Sequence, residues 1–157
     1  MSLTADEIRT AYPLPVYNYR VEINGEAVAF SEVSGLSISH ETVVYKESPT
    51  AGGAPGPRLM IVPGQREPAK ITLKKGVVRA ASMKHLYGWI RTIAINQVEK
   101  KDIFIRLCDE KGAPVITWKV TNAFPTKLDA PTFDAKSNDA AIESMELSGD
   151  FVSIEEA

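Results

Sequence analysis

The sequence predicts a mainly β, α+β fold, with two packed antiparallel sheets or a barrel-like closure of them, one α-helix and a long Pro/Gly-rich arm. Three observations lead there. Apolar side chains recur at every second position through most of the chain, as half-buried strands require. The period lengthens to that of a helix only between Ala80 and Val98. Between these patterns lies 47–66, ESPTAGGAPGPRLMIVPGQR, whose four prolines and four glycines interrupt both periods.

The chain of 157 residues, 44% of them apolar, suits one domain spanning 1–157 with a single core. Its 18 basic and 20 acidic residues are balanced, so it carries no global electrostatic footprint for nucleic acid or an anionic membrane. The single cysteine, Cys108, excludes an internal disulfide and reads as a small buried hydrophobe. Residues 1–12 lack the apolar run of a secretory signal, and no stretch approaches the roughly eighteen apolar residues of a spanning helix. The expectation is a protein without membrane insertion.

Taken in order, Thr4-Ala5-Asp6-Glu7 has the form of a helix start, and Pro13 and Pro15 end it, leaving a loosely held N-terminal arm over 1–12. Residues 17–46 read as three consecutive strands. Tyr17, Tyr19, Val21 and Ile23 alternate into the Asn24-Gly25 pair of a two-residue hairpin, and Val28 and Phe30 share a face of the second strand. Ser34-Gly35 breaks the chain before Leu36 and Ile38. Val43 and Tyr45 then fall out of phase with Leu36 and Ile38, so a bulge near Glu41 or Thr42 is needed to keep both pairs inside. The segment 47–66 is predicted as an extended loop or hairpin arm whose Leu59-Met60-Ile61-Val62 run an isolated subunit must expose, a mark of a contact surface. Residues 69–75 form a strand with one wet side. The helix over 80–98 turns Met83, Leu86, Tyr87, Ile90, Ile93 and Ala94 to a sheet, with Gly88 costing about 1 kcal/mol relative to Ala. Residues 102–108 and 115–121 make a second hairpin. Pro125 and Pro131 make 123–137 an irregular edge or short strand. The last strand, from Ala140 to Leu147, has mixed faces that place Met145 and Leu147 at a subunit boundary.

Several ordered motifs resemble one family. Pro13-Leu14-Pro15 with the aromatic strand after it, Phe30-Ser31-Glu32-Val33-Ser34-Gly35-Leu36 and Val43-Val44-Tyr45-Lys46-Glu47 are similar to the opening of the tail-tube proteins of contractile phage tails and of phage-tail-like contractile injection systems. Lys70 to Val78, KITLKKGVV, resembles that family's "ITLKRGV" strand, and Pro114 to Pro125 resembles its "PVxxWxxxNAxP" segment. The resemblance implies a structural subunit of an inner tube, built from stacked hexameric rings around a channel that carries protein or DNA cargo. It implies a surrounding sheath protein, baseplate and tail-cap proteins as partners. It further implies assembly in a bacterial cytoplasm and a place in a virion tail or a released extracellular particle. On this reading Pro55, Pro57, Arg58, Leu59, Met60, Ile61 and Val62 of the arm, with Met145 and Leu147, make the contacts between subunits and rings. The tube of type VI secretion shares the architecture and is the first alternative; a small ligand-binding β-barrel is the second.

No constellation for chemistry stands beside this. His40 and His85 have no cysteine or second histidine at metal-ligand spacing, and Cys108 has no histidine partner in the pattern. Asp109 and Glu110 sit in a turn where solvated acids belong. Gly52-Gly53-Ala54-Pro55-Gly56 lacks the Lys-Ser/Thr of a phosphate loop, and the pairs Lys74-Lys75 and Lys100-Lys101 carry no interleaved aromatics. The sequence therefore predicts no catalytic residue, metal or cofactor, and a mechanical role.

Overall fold

A computed structural model describes every residue except Met1, Ala51, Ala54, 94–96 and Ala157. The chain opens with α1 (Ala5–Ala11), which starts where Thr4 and Glu7 form a reciprocal cap: the Thr4 hydroxyl accepts from the Glu7 amide at 3.2 Å and the Glu7 carboxylate from the Thr4 amide at 2.8 Å. No residue of α1 is buried. The strands β1 (Tyr19–Ile23) and β2 (Glu26–Val28) form the expected hairpin, with Asn24 at φ 52° and Gly25 at φ 84° making the turn.

The rest of 17–46 departs from three consecutive strands. The short β3 (Glu32–Ser34) leaves β2 and pairs with β6 (Ala69–Gly76), while β4 (His40–Glu47) pairs only with β5 (Arg58–Arg66). Gly35, at φ 89°, turns the chain between them, and a Cβ there would collide with the Lys70 carbonyl. The predicted bulge is present, as a register shift between His40 and Thr42. Its consequence is not the predicted one: Val43 and Tyr45 stay half exposed. The extended loop expected over 47–66 is confined to its first half, because Arg58–Arg66 ladders against β4. Apolar residues facing each other across the pair, from Val43 with Val62 to Tyr45 with Met60, give the second half its strand.

The remaining strands, β7 (Lys101–Cys108), β8 (Pro114–Asp129), β9 (Ile142–Gly149) and β10 (Phe151–Glu156), complete a path ordered β2-β1-β7-β8-β9-β6-β3, with β10 added to β8. Of 123–137, expected as an irregular edge or short strand, residues 123–129 are the second half of β8, which runs through Pro125, and 130–137 are irregular. The missing proline N–H is accommodated by a register shift between Pro125 and Lys127. The first half of β8 pairs with β7 and β10 and the second with β9, so one strand belongs to two antiparallel sheets. The corner lies at Asn122, at φ 53°, whose amide donates to Asp102 at 3.0 Å and whose side chain donates to Asp150 at 2.8 Å. Gly149 lets β9 close on this corner, since a Cβ would lie 2.6 Å from a Val120 methyl. The two sheets share one core, with Val21, Ile23, Ile103 and Val120 from the first packed with Ile71, Leu73, Met145 and Leu147 from the second.

The helix is shorter than its periodicity suggested. It runs as α2 (Arg79–Ala81), a π-helical stretch Ser82–Tyr87 and α3 (Gly88–Ile90). The Thr92 hydroxyl bonds the Trp89 carbonyl at 2.6 Å and the chain tightens into three-residue turns, which ends the helix before Val98. Met83, Tyr87 and Ile93, expected on the apolar stripe, are exposed, leaving Leu86 and Ile90 to face the body, and Ala94 lies outside the described residues. Gly88 is required by the wide turn, where a Cβ would sit 2.9 Å from the Met83 carbonyl. Leu86 and Trp89 plug the core, and the Trp89 indole N–H donates to the Glu99 carbonyl at 2.7 Å. Burial of such side chains is worth about 1.5–3 kcal/mol each.

Candidate assembly surface

The β4–β5 hairpin carries apolar side chains on both faces. Residues paired across the hairpin point the same way, so Val44, Ile61 and Leu59, with Lys46, occupy one face, and Val43, Val62, Tyr45 and Met60 occupy the other. A strand that lies on a core shows one apolar and one polar face. This ribbon shows two apolar faces and buries neither: along β4 only Glu47 is half-buried, and along β5 only Met60 and Gly64. A two-stranded ribbon alone is marginal in water, so its cover must come from elsewhere.

The base of the ribbon is pinched shut by Ser39 and Glu67, and Arg66 ties it to the body. The Glu67 amide donates to the Ser39 carbonyl at 2.9 Å, the Ser39 hydroxyl to the Glu67 carboxylate at 2.8 Å, and the Arg66 guanidinium stacks on the Phe151 ring at 4.2 Å. Near the tip, the Glu47 and Arg58 charges approach only to 3.9 Å and are solvated, which is worth little. The arm is thus aimed at its root and free along its length.

A second incomplete surface lies on the first sheet. Its apolar side is built of rows crossing the strands. Ile23, Ile103, Val120 and Val152 form one row, at most 4% exposed. In the next, Val21, Ile105, Trp118 and Ile154, exposure climbs to 56% at Ile154. In the last, Tyr19, Leu107 and Ile116 are all half-buried. The second sheet therefore covers one end of this face and leaves the other open. The open end is an apolar cleft of about 680 Å³, walled by Phe30, Val33 and Leu36 and rimmed by Val16 and Tyr17. The Tyr19 hydroxyl donates to the Phe30 carbonyl at 2.8 Å; burial first, and then the Glu32 charge, hold the phenol above its ordinary range. Glu32 is the one charged residue lining the cleft.

Pro55 and Pro57 lie exposed in the turn beyond β4, and Arg58, Leu59, Met60, Ile61 and Val62 lie on β5, so the predicted arm residues are together. Met145 and Leu147 do not join them. They are at most 1% exposed, because β9 lies between β6 and β8 with its inward side chains in the core, and they cannot meet another subunit. The sequence reading placed Val43 and Tyr45 inside, whereas Val43, Val44 and Tyr45 are all exposed, and it missed the cleft. A signal existed for the first: the uninterrupted Val43-Val44-Tyr45 run faces the uninterrupted Leu59 to Val62 run, and two such runs cannot both hide one face.

Groups with chemical potential are dispersed. His40 is exposed, and among the described residues no cluster of His, Cys, Asp or Glu could hold a metal. Cys108 is buried, with its thiol against the Arg106 carbonyl at 3.6 Å. His85 lies 3.7 Å from Glu26, which Lys84 also approaches at 3.1 Å. Burial lowers the His85 pKa despite the Glu26 charge, and the Lys84 hydrogen bond lowers that of Glu26.

Residues 15–152 match the family model described as T4-like virus tail tube protein gp19. Among solved structures, a chain of an extracellular contractile injection system, the PVC sheath-tube complex in the extended state, is 39% identical; the alignment covers 99% of this chain and 100% of that one, at a TM-score of 0.88. A chain of the anti-feeding prophage cap, the AFP tube terminating cap, is 42% identical with full coverage of both chains and a TM-score of 0.84. A structure of a type six secretion system protein, 11% identical over 90% of this chain and 84% of that one, with a TM-score of 0.50, shares the fold alone. No curated protein sequence matches the chain.

Proposed function

The chain belongs to the T4-like virus tail tube protein family, and from that premise we propose that it is the structural subunit of the inner tube of a contractile, phage-tail-like injection system. Its copies form hexameric rings that stack around a channel for cargo. The observation that carries this reading is full-length likeness to a chain of a sheath-tube complex, joined to an arm that exposes both of its apolar faces. Members of this family are structural tube proteins, and the work of such a subunit is mechanical rather than catalytic. Sheath, baseplate and cap proteins are the partners this role requires, the particle acts outside the cell that assembles it, and the lumen carries protein or DNA.

In this role the arm joins rings. Pro55, Pro57 and the Arg58 to Val62 strand order against a neighbouring copy, where burial of apolar area at about 25 cal/mol per Å² offsets the entropy of holding the ribbon still. Each ring repeats the gain in every copy.

The test is native mass spectrometry with negative-stain microscopy of purified protein. Six-membered rings and rods are expected, and Met60→Asp should leave the circular dichroism of the β-fold unchanged while suppressing rods. Monomer alone across high micromolar concentrations, at low and high salt, would overturn the reading. A second reading, a ring that terminates the tube, is favoured by the likeness to the tube terminating cap. It predicts single or paired rings that stop rods of a tube protein from lengthening.

A further inference from the structure

The arm and the open end of the first sheet are separate on this chain, yet each lacks what the other has. The cleft offers the apolar floor of Tyr19, Leu107 and Trp118 with one acid, Glu32, at its edge. One face of the arm offers Val44, Ile61 and Leu59 with one base, Lys46, in the same row. The opposite face carries no lone charge, since Glu47 and Arg58 at its end lie beside each other. Among the described residues Glu32 is ion-paired with the half-buried Lys74 alone, at 3.3 Å, a pair that an incoming cation can share.

We infer that the cleft of one copy is the seat for the arm of a second copy, entering with its Val44, Leu59 and Ile61 face inward and Lys46 toward Glu32. This inference rests on the inner-tube reading and adds the receiving surface to it. Donor and acceptor are different patches of one chain, and in a stack of rings the contact runs head to tail from copy to copy. Repeated head to tail, it closes a ring or propagates a stack in which every copy has both patches filled except the end copies, which keep one open. The face with Val43, Tyr45, Met60 and Val62 stays available to a further neighbour, so a single ribbon can touch two copies. The seat also completes the sandwich, by covering the rows that the second sheet stops short of.

Charge reversal tests this; because Glu32→Lys also sets a lysine beside Lys74, circular dichroism of each variant checks that the fold is kept. Glu32→Lys and Lys46→Glu should each suppress assembly, and the double variant should recover it. The double variant Tyr17→Cys with Ile61→Cys, treated with a short thiol cross-linker after assembly, should give a ladder of covalent multimers that neither single variant gives. Fluorescence supplies a third reading: of the two tryptophans Trp89 is buried, so quenching by acrylamide reports Trp118, and it should fall several-fold on assembly. If rods form while Trp118 stays as quenchable as in the free subunit, the seat is wrong and the inner-tube reading stands. If Trp118 is protected but the arm does not cross-link to the rim, another element fills the cleft, and the inference is again overturned. If the parent protein forms no ring or rod at all, the inference falls together with the inner-tube reading.

Discussion

The β6–β9 ladder joins Ala69–Gly76 to Ile142–Gly149 and buries Ile71, Leu73, Met145 and Leu147, whereas the β4–β5 ladder joins His40–Glu47 to Arg58–Arg66 and buries nothing. The two are of similar length, both antiparallel, and both rich in β-branched and apolar residues. Backbone pairing is therefore not what separates them. Ladder bonds exchange for bonds to water at a small net gain, whereas apolar cover supplies the free energy that fixes a strand in place. The first ladder is covered by its own chain, and the second is left uncovered by it.

Substitutions that reduce side-chain volume should expose the difference most strongly. Leu147→Ala should cost about 2–5 kcal/mol in urea denaturation of the free subunit, and Ile61→Ala less than about 0.5 kcal/mol, although the latter weakens assembly. Were Leu147 at a subunit boundary, the order would reverse. Next in size is the hinge between the two regions: Gly35→Ala forces a side chain into a left-handed backbone against the Lys70 carbonyl, and should lower stability by about 1–3 kcal/mol in the same measurement. Equal midpoints for Gly35→Ala and the parent would show that the β3 edge yields freely.

Hydrogen exchange sharpens the comparison residue by residue. In free subunits the amides of Val43 to Lys46 and Leu59 to Val62 should exchange well before those of Ile71 and Leu73, and in rods the two sets should converge. Equal protection in the free subunit would make the arm an ordinary part of the body.

The smallest effect is expected from acid. Burial holds the His85 pKa below its ordinary value of 6.5, so the unfolded chain binds a proton more readily than the folded one. The stability contributed by neutral His85 is present above pH about 6.5 and is lost as the pH falls through the lower folded value. Thermal midpoints between pH about 6.5 and 5 should decline for the parent and flatten for His85→Gln.

How far the residues foretold this structure follows the same division. Where the chain satisfies itself locally, the pattern was legible: Asn24-Gly25 marked the hairpin, Thr4 and Glu7 the helix start, the phase change before Val43 the bulge, and the alternation from Ile103 to Leu107 one strand of the second hairpin. Long-range cover was not legible. Period two shows that Val43 and Tyr45 share a face, and it does not say whether anything in the chain reaches that face. Met145 and Leu147 failed for the same reason, since a strand's place between β6 and β8 is a property of topology. Pro125 misled because a proline ends pairing only where no bulge accommodates it, and Thr92 ended a helix whose apolar period continued past it.

The passage of β8 from one sheet into the other gives the subunit a load path. At about 3.3 Å per residue, the strand Pro114–Asp129 is a filament of roughly 50 Å, with β7 and β10 attached to its first half and β9 to its second. A force that drags one sheet across the other stretches this filament along its peptide bonds, and does not slide one row of side chains over the next. Pulled so that its two sheets are dragged apart along β8, the subunit is expected to hold along this bent strand and to yield first by peeling at a ladder edge.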